Sequence, residues 1–145
     1  MRALLQRVKT ASVVVDDKEV AKINSGLVCF LGIHKLDNEL KCSELAKKIS
    51  NLRIFEDEQG KMNLSLMQIK GEILVVSQFT LYADCSSGNR PSFTEAMSWD
   101  SARQLYERFI AELQYLGCKT KSGIFGAKMN VILNNYGPVT IILEV

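Results

Sequence analysis

The stretch that most restricts the fold is Ile73 to Asp84, ILVVSQFTLYAD, where a run of buried-strand residues stops at Ser77, Gln78 and Thr80. Four consecutive apolar residues, three of them β-branched, predict a strand buried on both faces. When such a strand leaves the core onto hydroxyl and amide groups, it holds them on a rigid support suited to chemistry. A core strand whose hydroxyls are capped by neighbouring backbone has the same letters, so the segment alone does not identify a site. A second stretch, Leu133 to Val145 (LNNYGPVTIILEV), sets a Gly137-Pro138 step beside another strand-like run.

Around these two stretches the chain reads as one domain spanning residues 1–145. A chain of this length buries roughly 70% of the surface its unfolded form exposes. Arg2 to Val15 predicts a long strand bulged near Thr10, and Asp16-Asp17-Lys18 a hairpin turn. Glu19 to Ile23 returns, Asn24-Ser25-Gly26 turns again, and Leu27 to Ile33 is a buried third strand, so the three form a meander. Asp37 caps a helix running to about Leu52, with Leu40, Leu45, Ile49 and Leu52 on its apolar side. Arg53 to Phe55 is a short strand, and Lys61 to Ile69 stays open between strand and loop.

Beyond the central strand, Cys85 to Pro91 is a loop carrying Arg90. Ser98 caps a second helix, Trp99 to Leu116, with Ala102, Leu105, Phe109, Leu113 and Leu116 inward and Gly117 as its stop. Cys118 to Ser122 is an edge strand, and Met129 to Leu133 and Val139 to Val145 are two strands around Asn134 to Pro138. Helices that do not alternate regularly with strands indicate an α+β fold: a curved, largely antiparallel, barrel-like sheet with two main helices packed on it.

The chemical inventory excludes several function classes. The four cysteines form no CxxC pair and have only His34 to join them, which argues against zinc and for reduced thiols in a cytoplasmic protein. No apolar run approaches the ~20 residues that span a bilayer, and the net charge of +2 neither demands nor excludes nucleic acid. Nucleotide-phosphate loops, paired carboxylates and a marked general base are all missing. What remains is Ser77, Gln78 and Thr80 with strand-end N–H groups. Such a set suits a substrate that is already reactive, an activated ester for instance, which needs positioning more than proton transfer.

Four segments match a known family: SQFTL (Ser77 to Leu81), RPSF (Arg90 to Phe93), GIFGAKM (Gly123 to Met129) and NYGPVT (Asn135 to Thr140). QRV (Gln6 to Val8) and RIFEDEQGKMN (Arg53 to Asn63) support them. The whole chain resembles D-aminoacyl-tRNA deacylase, also called D-tyrosyl-tRNA deacylase. The resemblance implies a homodimeric, cytoplasmic editing enzyme without metal or cofactor that hydrolyses the ester between tRNA and a D-amino acid or glycine. It places Ser77, Gln78, Phe79 and Thr80 as the catalytic segment around the terminal adenosine. Thr80 has been regarded as a nucleophile in such enzymes; the reading preferred here is assistance by the 2′-hydroxyl of the tRNA, with N–H groups near Phe79 supporting the oxyanion.

The resemblance further implies that Gly137-Pro138 is cis and projects its carbonyl oxygens into the partner subunit's pocket, rejecting L-amino acids by steric exclusion. Arg7, Phe125 and Met129 complete the implied substrate-side set, Arg7 bracing the Gly-Pro motif and the other two lying near the adenosine. One departure is Tyr136, where the family often has aspartate. Lys41, Lys48, Lys119, Lys121 and Lys128 become candidates for phosphate contacts. The alternative from another class is a non-catalytic nucleic-acid-binding module on the same fold. Relatives of that kind carry a C-terminal tail, so a chain ending at Val145 is expected to be the enzyme.

Overall fold

The computed structural model describes residues 1–145. Its elements are β1 (Arg2–Val15), β2 (Lys18–Ile23), β3 (Gly26–Gly32), α1 (Glu39–Asn51), β4 (Arg53–Glu56), β5 (Met62–Ser65), β6 (Glu72–Ser77), a 3-10 turn (Phe79–Tyr82), α2 (Trp99–Tyr115), β7 (Lys119–Ser122) and β8 (Asn130–Glu144). Six strands form a nearly closed, barrel-like sheet in the order β2-β1-β3-β6-β7, with β8 on β1; β4 and β5 form a separate ribbon. The α+β reading holds, and the sheet is mixed, because β3-β6 and β6-β7 are parallel.

The meander does not form. β2 and β3 both pair with β1, and they keep one register across Asn24 and Ser25, with Ala11 opposite Ile23 and Val8 opposite Gly26. They are one return strand with a break rather than two strands with a turn. The break has a physical cause. Asn24 N–H donates to Glu72 Oε2 at 2.7 Å, Glu72 N–H donates to the Ser25 carbonyl at 3.1 Å, and a Cβ on Gly26 would lie 1.8 Å from the Glu72 carbonyl oxygen. Turn-forming residues serve here to admit the neighbouring strand β6.

The two expected C-terminal strands are likewise one, β8, bulged in its middle. Gln6 faces Thr140 and Val8 faces Asn135, so Tyr136 to Val139 stand opposite Arg7 alone. A second register shift lies between Val8 and Thr10, near the bulge expected from sequence.

β3 and β6 are buried on both faces, which explains their continuous apolar runs. Leu27, Cys29, Leu31, Ile73 and Val75 pack on Leu45, Ile49, Phe109 and Leu113 of the helices, while Val28, Leu74 and Val76 meet Val8, Val13 and Ile23 on the other side. Buried Tyr106 of α2 donates its hydroxyl to the Val75 carbonyl at 2.9 Å, fixing that helix over β6. Gly117 ends it at φ 88°, and β7 is the edge strand foreseen.

Helix α1 departs from expectation at its start. Asn38 is the cap, accepting from Lys41 N–H, and Leu40 is 81% exposed because the inward face runs through Cys42, Leu45, Ala46 and Ile49. Asp37 is buried instead. Its carboxylate takes the Met1 ammonium at 2.8 Å, His34 N–H at 2.6 Å and Lys41 Nζ at 3.1 Å. Met1 and Val145 also exchange two backbone bonds, at 2.8 and 3.0 Å. Removing one partner of a buried pair leaves the other charge unpaired. Asp37→Ala is therefore expected to cost about 3–5 kcal/mol in urea unfolding, with Asp37→Asn, which keeps an acceptor for His34 N–H, losing less.

Candidate active site

β6 leaves the core at Ser77, and the chain tightens at once into the 3-10 turn Phe79–Tyr82. Gln78 N–H continues the β3 pairing by donating to the Leu31 carbonyl at 2.8 Å. The turn then exposes Phe79 and Thr80, and the Gln78 side-chain amide donates to the Thr80 hydroxyl. The Phe79 and Thr80 N–H groups stand at the open start of the turn, where helix geometry gives them no partner inside it. The turn is held from behind: Arg2 Nη1 donates to the Leu81 carbonyl at 2.6 Å, and its guanidinium lies 4.8 Å from the Tyr82 ring centre.

In front of the turn opens a cavity of about 570 Å³. Ser77, Gln78 and Phe79 form one end, Phe125 to Ala127 with Met129 another, and Phe93, Ala96, Met97 and Trp99 close it over. This volume is typical of small-molecule sites. None of the 16 lining residues is charged or is a histidine, cysteine or tyrosine. Catalysis by a side-chain acid or base inside the cavity thus has no residue to carry it. The buried cysteines do not fill that role either, since burial raises the Cys118 thiol and pushes Cys29 up to about 12 and Cys42 up to about 11, away from the reactive thiolate.

The cover is the segment from Cys85 to Ser98, and it is tied down at several points. Asp84 and Ser92 exchange backbone bonds at 2.8 and 2.9 Å, Lys35 N–H donates to the Glu95 carbonyl at 3.0 Å, and Met97 N–H donates to the Ile33 carbonyl at 2.9 Å. Glu95 also meets Lys35 Nζ at 2.8 Å and His34 Nε2 at 3.0 Å, and these bonds, Lys35 first, hold its carboxyl below the usual range. Phe93 of the cover packs edge-on against Phe79, 5.0 Å between centres. His34, weighed from sequence only as a metal ligand or general base and given neither role, is a tether of the cover.

Five of the residues singled out from sequence, Ser77, Gln78, Phe79, Phe125 and Met129, share this cavity, and Thr80 joins them through Gln78. Arg7, Gly137 and Pro138 do not line it. Gly137-Pro138 is cis and exposed at the crest of the β8 bulge. Arg7 is buried, 3% exposed, beneath it. Its Nε donates to the Tyr136 carbonyl at 2.9 Å, Nη1 to the Ile54 carbonyl at 2.8 Å, and Nη2 lies 3.3 Å from Glu56. The bond to Tyr136 is to backbone, so it does not depend on the side chain there. The Tyr136 ring itself lies under two cations, Arg7 at 4.7 Å and Lys9 at 4.8 Å.

Sequence reasoning did not assign Trp99, Phe93 or the Glu95 tether. Trp99 falls on the helical spacing of Ala102, Tyr106, Phe109 and Leu113, which marks it for the core, yet it is 59% exposed because the start of α2 overhangs the cavity. Of the candidate lysines, Lys41 is bound to Asp37, and Lys121 donates to the Lys22 carbonyl at 2.6 Å.

An uncharged cavity at the carboxyl end of a central strand, lined by the Ser77 hydroxyl, the Gln78 amide and apolar side chains, is suited to binding and positioning a substrate. The chain belongs to the D-Tyr-tRNA(Tyr) deacylase family, whose sequence profile matches residues 4–144. It is 56% identical over 144 residues to the D-aminoacyl-tRNA deacylase of Thermotoga petrophila and 55% identical to that of Aquifex aeolicus, each match covering 99% of this chain and 97% of the relative. A solved structure, the c-Myc DNA unwinding element binding protein, superposes with a TM-score of 0.95 at 42% identity, covering 100% of this chain and 99% of that one. Membership at this level of identity makes the chain an enzyme, a deacylase that hydrolyses an aminoacyl ester.

The Arg7 geometry generates a test. Arg7→Ala leaves the Tyr136 and Ile54 carbonyls without their donor, at a cost of about 2–4 kcal/mol. Hydrogen exchange is expected to show loss of protection centred on residues 135–140, with the cavity residues around Ser77 unaffected.

Proposed function

We propose that this chain is a D-aminoacyl-tRNA deacylase that releases free D-amino acid, or glycine, from tRNA, acting in the cytoplasm as a homodimer. The observation that carries the reading is the cavity beyond β6, which brings Ser77, Gln78 and Phe79 together with no titratable group among its lining residues. An aminoacyl ester is activated, and its neighbouring 2′-hydroxyl sits beside the carbonyl to be attacked. Hydrolysis assisted by that hydroxyl needs no base from the protein. The free N–H groups at Phe79 and Thr80 then support the oxyanion, and one such donor is worth about 10²–10³ in rate.

Chirality is read elsewhere. The Gly137-Pro138 bulge is exposed and outside the cavity of its own chain, so it reaches a cavity only by entering that of a second copy. There its carbonyls exclude the side chain of an L-amino acid, while glycine, with no side chain, passes. Support for a dimer includes β8, whose outer edge is unpaired and which carries exposed Ile132 and Ile142.

A second reading rests on the 42% identity to the DNA unwinding element binding protein: a nucleic-acid-binding module without turnover. One assay separates the two. Purified protein is given matched D-, L- and glycyl-tRNA with and without a chelator. Release from the D and glycyl forms at least about a hundredfold faster than from the L form, unchanged by chelator, is the expected outcome. Binding of all three without release overturns the enzyme reading. For the mechanism, Thr80→Ala is expected to keep its rate within about tenfold, whereas loss of a true nucleophile removes nearly all of it.

A further inference from the structure

The cavity is larger than an amino-acid side chain requires, and its far wall is aromatic. Trp99, the only tryptophan in the chain, stands in the first turn of α2 with 59% of its surface exposed, although it lines the cavity. Its ring is fixed from behind. Phe125 meets it edge-on, 5.1 Å between centres and 71° between planes, and Tyr106 backs Phe125 at 5.3 Å. Tyr106 is in turn anchored to β6 through the Val75 carbonyl. Gly126 completes the support: a Cβ there would lie 1.6 Å from the indole Cη2, so the loop residue under the ring has to be glycine.

An indole seated this closely and left this open is costly to expose, yet nothing in the chain covers it. We propose that Trp99 is a binding residue of the deacylase, its exposed face stacking on the terminal purine base of the acceptor end while Ser77 to Phe79 hold the ester. The inference rests on the function proposed above. It adds a base-binding wall to it. A rigid π-face is suited to this task because stacking needs no hydrogen-bond code and little ordering of the protein on binding. Phe125, being edge-on to Trp99 and packed against Tyr106, acts as the support.

The test uses intrinsic fluorescence, which here reports one residue. The probe is a non-hydrolysable 3′-amide analogue of D-aminoacyl-adenosine, with the cytidine counterpart for comparison. Saturable quenching by the adenosine analogue, stronger than by the cytidine one, is expected. By calorimetry, Trp99→Leu is expected to bind the analogue about ten- to a hundredfold more weakly, and Trp99→Phe within about threefold of wild type. On D-aminoacyl-tRNA the loss in Trp99→Leu should fall on KM rather than kcat. Unquenched fluorescence with calorimetric binding intact overturns the proposal, as does full affinity in Trp99→Leu, or a loss confined to kcat. If Trp99→Leu does not fold, the wild-type quenching decides. Wild-type protein that releases no D-amino acid and binds no analogue fails the parent function instead, so the two failures are distinct.

Discussion

Backbone pairing along β1 is the constraint on which the rest of this structure depends. One edge of the strand is occupied along its length by β8, and the other by β2 and β3 in series. Because β2 and β3 keep a single register, β3 is delivered beside β6, and β6 ends where the cavity begins. On the opposite edge the same ladder forces four β8 residues to stand over one β1 residue, raising the Gly137-Pro138 crest. The cavity and the crest are thus displaced from one strand in opposite directions. Arg7, pointing from β1 into the bulge, converts an irregularity of register into a fixed shape.

The cavity shows a division of labour between polarity and charge. Charged groups gather at its supports: Arg2 behind the 3-10 turn, and Lys35 and Glu95 at the cover, where the His34 ring also meets Glu95. The interior presents only apolar surface, hydroxyls, amides and backbone donors. A low-polarity chamber strengthens whatever hydrogen bonds it makes to a developing oxyanion, while charges at the periphery hold the frame without competing for the substrate.

Much of the fold was legible in the sequence because burial leaves a periodic record. The double-faced strands β3 and β6 announced themselves as unbroken apolar runs, and the inward face of α2 by its spacing. The misreadings share one cause, a local signal overridden by a distant partner. Asn24-Ser25-Gly26 has turn chemistry, but Glu72 of β6 uses it as a gap. Asp37 has capping chemistry, but the Met1 ammonium claims it. Asn134 to Pro138 has loop chemistry, but β1 pairs on both sides of it and makes it a bulge.

The site divides in the same way. By itself the sequence singled out the segment Ser77 to Thr80, Phe125, Met129 and the Gly-Pro step as candidates and pointed to the family, because these depend on residue identity along short stretches. Arg7, expected from the resemblance to brace the Gly-Pro motif, donates to the Tyr136 carbonyl there; only the tertiary structure decided that it stays outside the cavity, that Glu95 ties the cover, and that Trp99 is open to solvent. Helical spacing specifies which side of α2 faces inward, but whether anything lies beneath its first turn depends on where the sheet ends. That is set by strand order and register, which are properties of pairings between distant segments and leave no local mark.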